Sequence, residues 1–342
     1  MTSYKLRTGN AGQVVRGDQT GQALLWDNTA QSWSPGLVDS SLDGVYNFAS
    51  YEDLEAAFPA NAGVHTLDDN GIYNFLSSFS LDGNRIVVTA QGALLTAAPF
   101  TVLESDVDGP TVRVDGAGTT VQGLTVWNNG ATASDDRCAI EVTAQDVRLS
   151  GVHVLTQGDC PAVLVSNAAA TVLAVGCQIQ CGGSTPTRAG VRVEAGVFRG
   201  IGCERVGPAP LVASIGTSVS GIYLDDCFAS ASGAASDYFV FLSGVALGEL
   251  LLSNCRMGEN DEAAIQYAAG TVGFAAVVGC TALGVAGIDW AAASIPTRGL
   301  VVVGCNLNCT NPFVDFDEAD AGVNVKACTG SAGLLSETAI VA

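Results

Sequence analysis

With 342 residues, nearly half of them apolar, the chain can bury a large core, and its length alone allows one to three domains. A formal charge of −20, with lysine only at Lys5 and Lys326, repels phosphate backbones and anionic lipid, so nucleic acid and membrane surfaces make poor partners. No apolar run approaches the roughly 20 residues that a membrane helix needs, and eleven cysteines, an odd number in a chain this long, argue against a disulfide framework.

The opening MTSYKLRTGNAGQ lacks the apolar h-region of a signal peptide, so synthesis in a cytoplasm is expected. Residues 12–36, GQVVRGDQTGQALLWDNTAQSWSPG, alternate apolar and polar side chains around the turn signals GD and DNT. Trp26 and Trp33 are large apolar groups in a segment too short for a core of its own. Two readings stand: a small hairpin folded on the rest of the chain, or, the favoured one, an attachment segment over residues 1–45 that becomes buried on a partner. SYEDLEAAFP (50–59) predicts a short capping helix near 50–58, with Ser50 as N-cap, Asp53 in the capping-box position and Pro59 as its stop. GIYNFLSSFSLDGNRIVVTAQGALLTA (71–97) reads as the first, irregular coils of a repeating architecture.

From residue 120 one phrase repeats: TVQGLTVW, RLSGVHVL, LAVGCQIQ, RGIGCERV, YLDDCFAS, LLSNCRMG, VVGCTALG, VVVGCNLN and VNVKACTG. Its anchors are Leu124, Val152, Cys177, Cys203, Cys227, Cys255, Cys280, Cys305 and Cys328, 204 residues over eight intervals, or about 25 per repeat. A second column alternates with period two. Ile140/Val142, Val163/Val165, Val191/Val193, Phe239/Phe241, Ile265/Tyr267, Ile288/Trp290 and Val314/Phe316 point one way. Glu141, Leu164, Arg192, Val240, Gln266, Asp289 and Asp315 point the other; the repeat at PLVASIG (210–216) is degenerate. Short strands at this period, with no helical pattern between them, predict an all-β parallel solenoid over 46–330. Stacking coils about 4.8 Å apart turns the anchors into one internal ladder and gives a rod on the order of 40 Å long. Cysteine suits the ladder as a small buried apolar residue. CQIQC (Cys177, Cys181) and CNLNC (Cys305, Cys309) have zinc-compatible spacing, but strand alternation puts such pairs on one face anyway, and only His65 and His153 could add imidazole. Residues 331–342 are expected to seal the far end or to pack against a neighbouring chain.

GQALLWDNTAQSWSPG resembles the Gly-Gln-(apolar)-Trp/Tyr-Asp…Trp-x-Pro-Gly elements near the starts of bacteriophage tail fibres, tailspikes and head fibres. NGIYNFLSSFSLDGNRIVVT…GALLT resembles the entry coil of right-handed parallel β-helices of the pectate-lyase-like superfamily. The second resemblance spans roughly 65–330, the first about 35 residues. Together they imply a right-handed β-helix and a phage virion protein, trimeric, attached to capsid or tail proteins through residues 1–45.

Many proteins on that scaffold are enzymes. Glycosidases need paired carboxylates about 5 to 9.5 Å apart. Asp289 and Asp315 fall in the same outward register on successive coils, with Asp317 two residues along, which makes them candidate catalytic groups; the favoured reading is a solvated acidic face. Arg192 lies in the outward column with no acidic cluster in register, and Tyr223, Tyr238 and Tyr267 are scattered rather than arranged to stack a sugar. DFDEADAG (315–322) offers Asp315, Asp317, Glu318 and Asp320 as oxygen ligands for a cation, against a solvated turn. No cofactor or metal site is expected. The reading is a non-enzymatic virion protein of a tailed phage, a head decoration, spike or fibre subunit, with no nucleic-acid or membrane partner. The alternative is a tailspike depolymerase that binds or cleaves host-surface polysaccharide.

Overall fold

The Gly-Cys phrase writes one corner of a wound ribbon. In the computed structural model the residue before each anchor has a left-handed backbone, with φ of 64° at Gly123, 57° at Gly151, 58° at Gly176 and Gly202, 63° at Gly279 and 65° at Gly304. Glycine adopts this conformation without a Cβ penalty. Its N–H then donates to the coil above: Gly176 to the Ile201 carbonyl and Gly202 to that of Asp225, both at 2.9 Å. The anchor that follows turns inward, and its own carbonyl accepts from the next coil, Cys177 from Glu204 N–H at 2.8 Å and Cys227 from Arg256 N–H at 2.9 Å. Asp226, Asn254 and Ala327 take the same corner with φ of 51°, 53° and 52°. Aspartate and asparagine visit this region readily, whereas alanine is strained there.

The structure describes residues 44–215, 218–229, 236–290, 298–314, 323–330 and 333–335, together with the backbone pairing of four short strands nearer the start. Each coil carries three strands. The first face holds the strands before the anchor, such as Val147–Ser150, Thr171–Val175 and Gly196–Ile201. The second follows the anchor, with Thr125–Asn128, His153–Thr156 and Gln178–Gln180. The third includes Pro110–Val114, Cys138–Val142, Val163–Val165 and Val191–Val193. All three stack in parallel, so that Leu149 lies between Val121 and Ala174, and Val163 between Ile140 and Val191. Toward the C-terminus the strands run on around the corners, as in Ser236–Ser253 and Arg256–Val278. This is the expected parallel β-solenoid.

Every anchor from Leu124 to Cys328 is buried, and all eleven cysteines are free. From Cys177 to Cys305 the anchors of successive coils stack in register along the seam. Their thiols donate to backbone carbonyls, as Cys177 Sγ does to Leu149 O at 3.5 Å and Cys305 Sγ does to Val277 O at 3.4 Å. Away from this seam, burial pushes the Cys181 and Cys309 thiols up to about 11.

The second inward column also forms, with Ile140, Val142, Val163, Val165, Val191, Val193, Ile265, Tyr267, Ile288 and Trp290 all inaccessible. Two positions differ from expectation. The column passes through Val240 and Leu242, in register with Ile265 and Tyr267, while Phe241 faces outward beside Gln266. Every residue of Tyr238–Leu242 is apolar or aromatic, so either alternation reads as a core face, and the neighbouring coils decide. Near the C-terminus, Phe313 and Val314 are in register with Ile288 and Asp289, one residue away from the expected pairing.

The degenerate repeat is a regular coil: Val212–Ile215 pairs with Val191–Val193 on one side and Val240–Ser243 on the other. Its irregularity is chemical. Ser214 stands in the inward column between Val193 and Leu242, is fully buried, and its Oγ has no hydrogen-bond partner among the described residues. An unpaired buried hydroxyl costs about 1–3 kcal/mol. Ser214→Ala is therefore expected to raise the midpoint of denaturant unfolding, and a lowered midpoint would contradict this account.

An aromatic plug closes the first coils. Helix α1 (Tyr51–Ala57) is capped by Ser50, whose Oγ accepts from Asp53 N–H at 3.4 Å, while Asp53 Oδ2 accepts from Ala49 N–H at 2.8 Å. Leu54 and Phe58 pack inward, with the Phe58 ring centroid 4.9 Å from that of Tyr46 and 5.7 Å from that of Tyr73. At the other end Cys328–Gly330 pairs antiparallel with Gly333–Leu335, which folds the ribbon back on itself. Before the solenoid, Tyr4–Leu6 pairs with Gln13–Val15, and Gln22–Asp27 with Ser32–Leu37, as two antiparallel units separate from the main sheet.

Candidate functional site

Among the residues singled out from sequence, Asp289 does face outward on the third face, where its Oδ2 accepts from Gln266 Nε2 at 3.1 Å. Its register partner on the next coil is Val314. Asp315 and Asp317, and with them the possible cation ligands Glu318 and Asp320, lie outside the described residues. Trp26 and Trp33 are opposite one another in the antiparallel pair Gln22–Asp27/Ser32–Leu37. The three tyrosines are on different surfaces. Tyr267 is in the core against Trp290, Tyr223 faces outward on the first face with its hydroxyl donating to Glu249 Oε2 at 2.9 Å, and Tyr238 bonds Glu262 beside Phe241.

The largest gathering of charge is on the third face, over coils near the middle of the rod. Period-two alternation turns Arg113, Glu141, Leu164 and Arg192 outward in one column, and Asp115, Thr143, Ser166 and Glu194 in the next. Arg113 Nε is 2.7 Å from Asp115 Oδ1, and its Nη1 is 3.7 Å from Glu141 Oε2. Hydroxyls complete the shell: Thr143 donates to Asp115 at 2.5 Å and Ser166 to Glu141 at 2.7 Å. In register Arg192 has only Leu164 and Ala213 as neighbours. Its acidic partners arrive otherwise, Glu194 from two residues along at 2.8 Å and Asp135 from a long corner loop at 2.9 Å. Arg188 shares Asp135 at 2.8 Å and also reaches Asp159 at 3.4 Å, which accepts from Thr185 as well. Sequence reasoning missed Asp135, Asp159 and Arg188 because their contacts cross 53 and 29 residues through loops that no period describes.

The electrostatics follow from these pairs. The hydrogen bond from Arg188, with the charge of Arg192 beside it, holds the Asp135 carboxyl below its ordinary value of 3.8. A carboxyl lowered on folding stabilises the fold above its unfolded value, and that contribution disappears as pH falls through the lowered value. Asp135→Asn is therefore expected to lower stability at neutral pH and to match the wild type in strong acid. Because the Asp135 side chain is 55% exposed, salt should shrink the difference. Denaturant titrations at several pH values and ionic strengths measure both, and a difference unchanged in strong acid would remove the ion-pair explanation.

Chemically, most of the ridge's charge is paired within itself, although Arg192 Nε and Asp159 Oδ1 are buried with no hydrogen-bond partner among the described residues. Asp115 and Glu194 share a column but lie three coils apart, about 14 Å at strand spacing, outside the range in which two carboxylates flank a glycosidic bond. Asp115 and Glu141 are on adjacent coils, yet Arg113 lies against both. Elsewhere an open notch of about 360 Å³ is lined by Ser80, Asp82, Gly83, Asp106 and Asn129. His65 is buried with Nδ1 2.7 Å from the Phe58 carbonyl. Burial lowers the pKa of His153, against the pull of Glu204. Among the described residues no three metal-ligating side chains converge. No protein-family model matches the chain, and comparison with curated proteins and with solved structures found no match.

Proposed function

We propose that this protein is a non-catalytic structural subunit of a tailed-bacteriophage particle, a head decoration, spike or fibre, attached through residues 1–45 and assembled as a homotrimer. The observation that supports a structural role is the continuity of the stack. Parallel pairing runs from Val45–Phe48 to Val323–Lys326, and the charged side chains along the third face bind one another rather than converge on an open cleft. The proposal of attachment draws on the resemblance of GQALLWDNTAQSWSPG to phage adaptor elements and on the two antiparallel units that stand apart from the solenoid sheet.

Deleting residues 1–43 should leave a cooperatively folded rod that no longer joins particles. Sedimentation of phage produced with the truncated chain, with imaging to locate the full-length one, measures this. Unimpaired attachment would remove the adaptor reading. Release of oligosaccharide from host-surface polysaccharide by the purified protein, lost on Asp82→Asn with Asp106→Asn, would establish the depolymerase alternative instead.

A further inference from the structure

From Cys177 to Cys328 the anchor of every coil is a cysteine, seven in succession. The residues that follow these anchors pair in register from coil to coil, Gln178 with Glu204, Glu204 with Phe228, and so on to Asn306 with Thr329. Each anchor Sγ donates to the carbonyl two residues before it, at 3.3 to 3.7 Å, as Cys255 does to Ser253 O and Cys328 to Lys326 O. One side-chain conformation thus recurs at every coil, and the sulfurs repeat at the strand spacing of about 4.8 Å.

Packing alone does not ask for cysteine here. Leu124 and Val152 fill the same seat in earlier coils and are equally buried, so an aliphatic side chain serves. What sets cysteine apart is its chemistry toward oxidants and soft metals. Disulfides do not fit the column. Translated by one coil, neighbouring Cβ atoms are about 4.8 Å apart, beyond the range of about 3.5–4.5 Å that a bridge allows. A linear sulfur–metal–sulfur unit does fit, because two bonds of about 2.3 Å end to end span about 4.6 Å. Closed-shell monovalent cations adopt that two-coordinate geometry, and thiolate is the ligand they prefer. Zinc requires four ligands, and among the described residues no three ligating side chains converge.

We propose that the seam is a binding site for soft monovalent cations, Cu(I) or Ag(I), each held in line between the sulfurs of successive coils. Every cation that enters forms two metal–sulfur bonds, and one thiol proton leaves to water. Seven sulfurs enclose six gaps, so a filled seam holds six cations, has lost six protons and keeps one thiol. The lumen thereby stays neutral, with no uncompensated charge buried in it. The end coils of a stack open at the lowest cost, which gives cations entry from the Cys328 end. The inference does not depend on the phage reading.

Native mass spectrometry of the reduced full chain titrated with silver nitrate tests it, with circular dichroism to verify the fold. Cys255→Ala interrupts the seam and is expected to lose two cations relative to the wild type, since the gaps on both sides lose a sulfur. Cys328→Ala, at the end, should lose one. Cys227→Ala repeats the interior case should Cys255→Ala not fold. The four cysteines off the seam are unchanged in every variant and cancel from the comparison. X-ray absorption at the silver edge should show two sulfur neighbours per metal. A loss of one cation for interior and end variants alike would mark independent thiols. That result, or silver uptake only by the unfolded chain, overturns the proposal.

Discussion

Trp290→Ala is expected to remove about 3–5 kcal/mol of stability, the range for emptying a buried tryptophan site. Trp290 is inaccessible to solvent, with its ring centroid 4.8 Å from that of Tyr267 and their planes 24° apart. Below that pair the column narrows to Leu242 and Ser214. The two rings therefore fill the lumen where the aliphatic column widens, and alanine leaves a void that stacked coils cannot close without breaking register. In a solenoid, stability is a sum of coil and neighbour contributions. The loss should thus appear first as early unfolding of the C-terminal coils, ahead of the rest. Hydrogen exchange resolved along the chain distinguishes this from a uniform loss. A cost under about 1 kcal/mol would be typical of a surface position and would contradict the burial described here.

The same chemical change at two glycines should have very different effects. A Cβ on Gly116 would lie 1.8 Å from the Ala90 carbonyl oxygen, a backbone atom of the coil below. Thr119 Oγ1 also donates to the Gly116 carbonyl at 2.7 Å, so the segment cannot swing aside freely. Gly116→Ala is expected to cost about 3 kcal/mol or more, at the upper end of overpacking effects. At Gly176 a Cβ meets no atom within 4 Å. Gly176→Ala should therefore cost only the left-handed backbone penalty, about 1–2 kcal/mol. Paired denaturant titrations compare the two, and equal losses would show that corner conformation, not contact between coils, dominates.

The architecture was legible because one geometric demand recurs at every coil. A left-handed corner followed by a small inward side chain selects Gly-Cys, and the recurrence at 277–284 and 301–308 exposes the period directly. The capping helix was legible for a similar reason: Ser50 and Asp53 form local bonds that need no distant partner. Register failed where alternation carried no contrast. In Tyr238–Leu242 each second residue is apolar on either choice, and only Val212 and Ile265 fix the answer. The charged ridge stayed hidden for another reason. Arg192 looked isolated because its register neighbours are Leu164 and Ala213, whereas Asp135 is delivered by a loop whose path depends on the whole fold.

The coil-to-coil hydrogen bonds have a mechanical consequence. They run along the long axis, from Gly176 to Ile201 and from Glu204 back to Cys177, on every side of the lumen. Bending such a column stretches bonds on its convex flank while compressing packed side chains on the concave one, so neither flank yields easily. Tension on the chain ends, by contrast, peels a terminal coil from its neighbour bond by bond, in keeping with a stability summed over coils. The molecule should behave as a strut that resists bending yet unwinds coil by coil, and a force ramp in an optical trap would register that as a series of small ruptures.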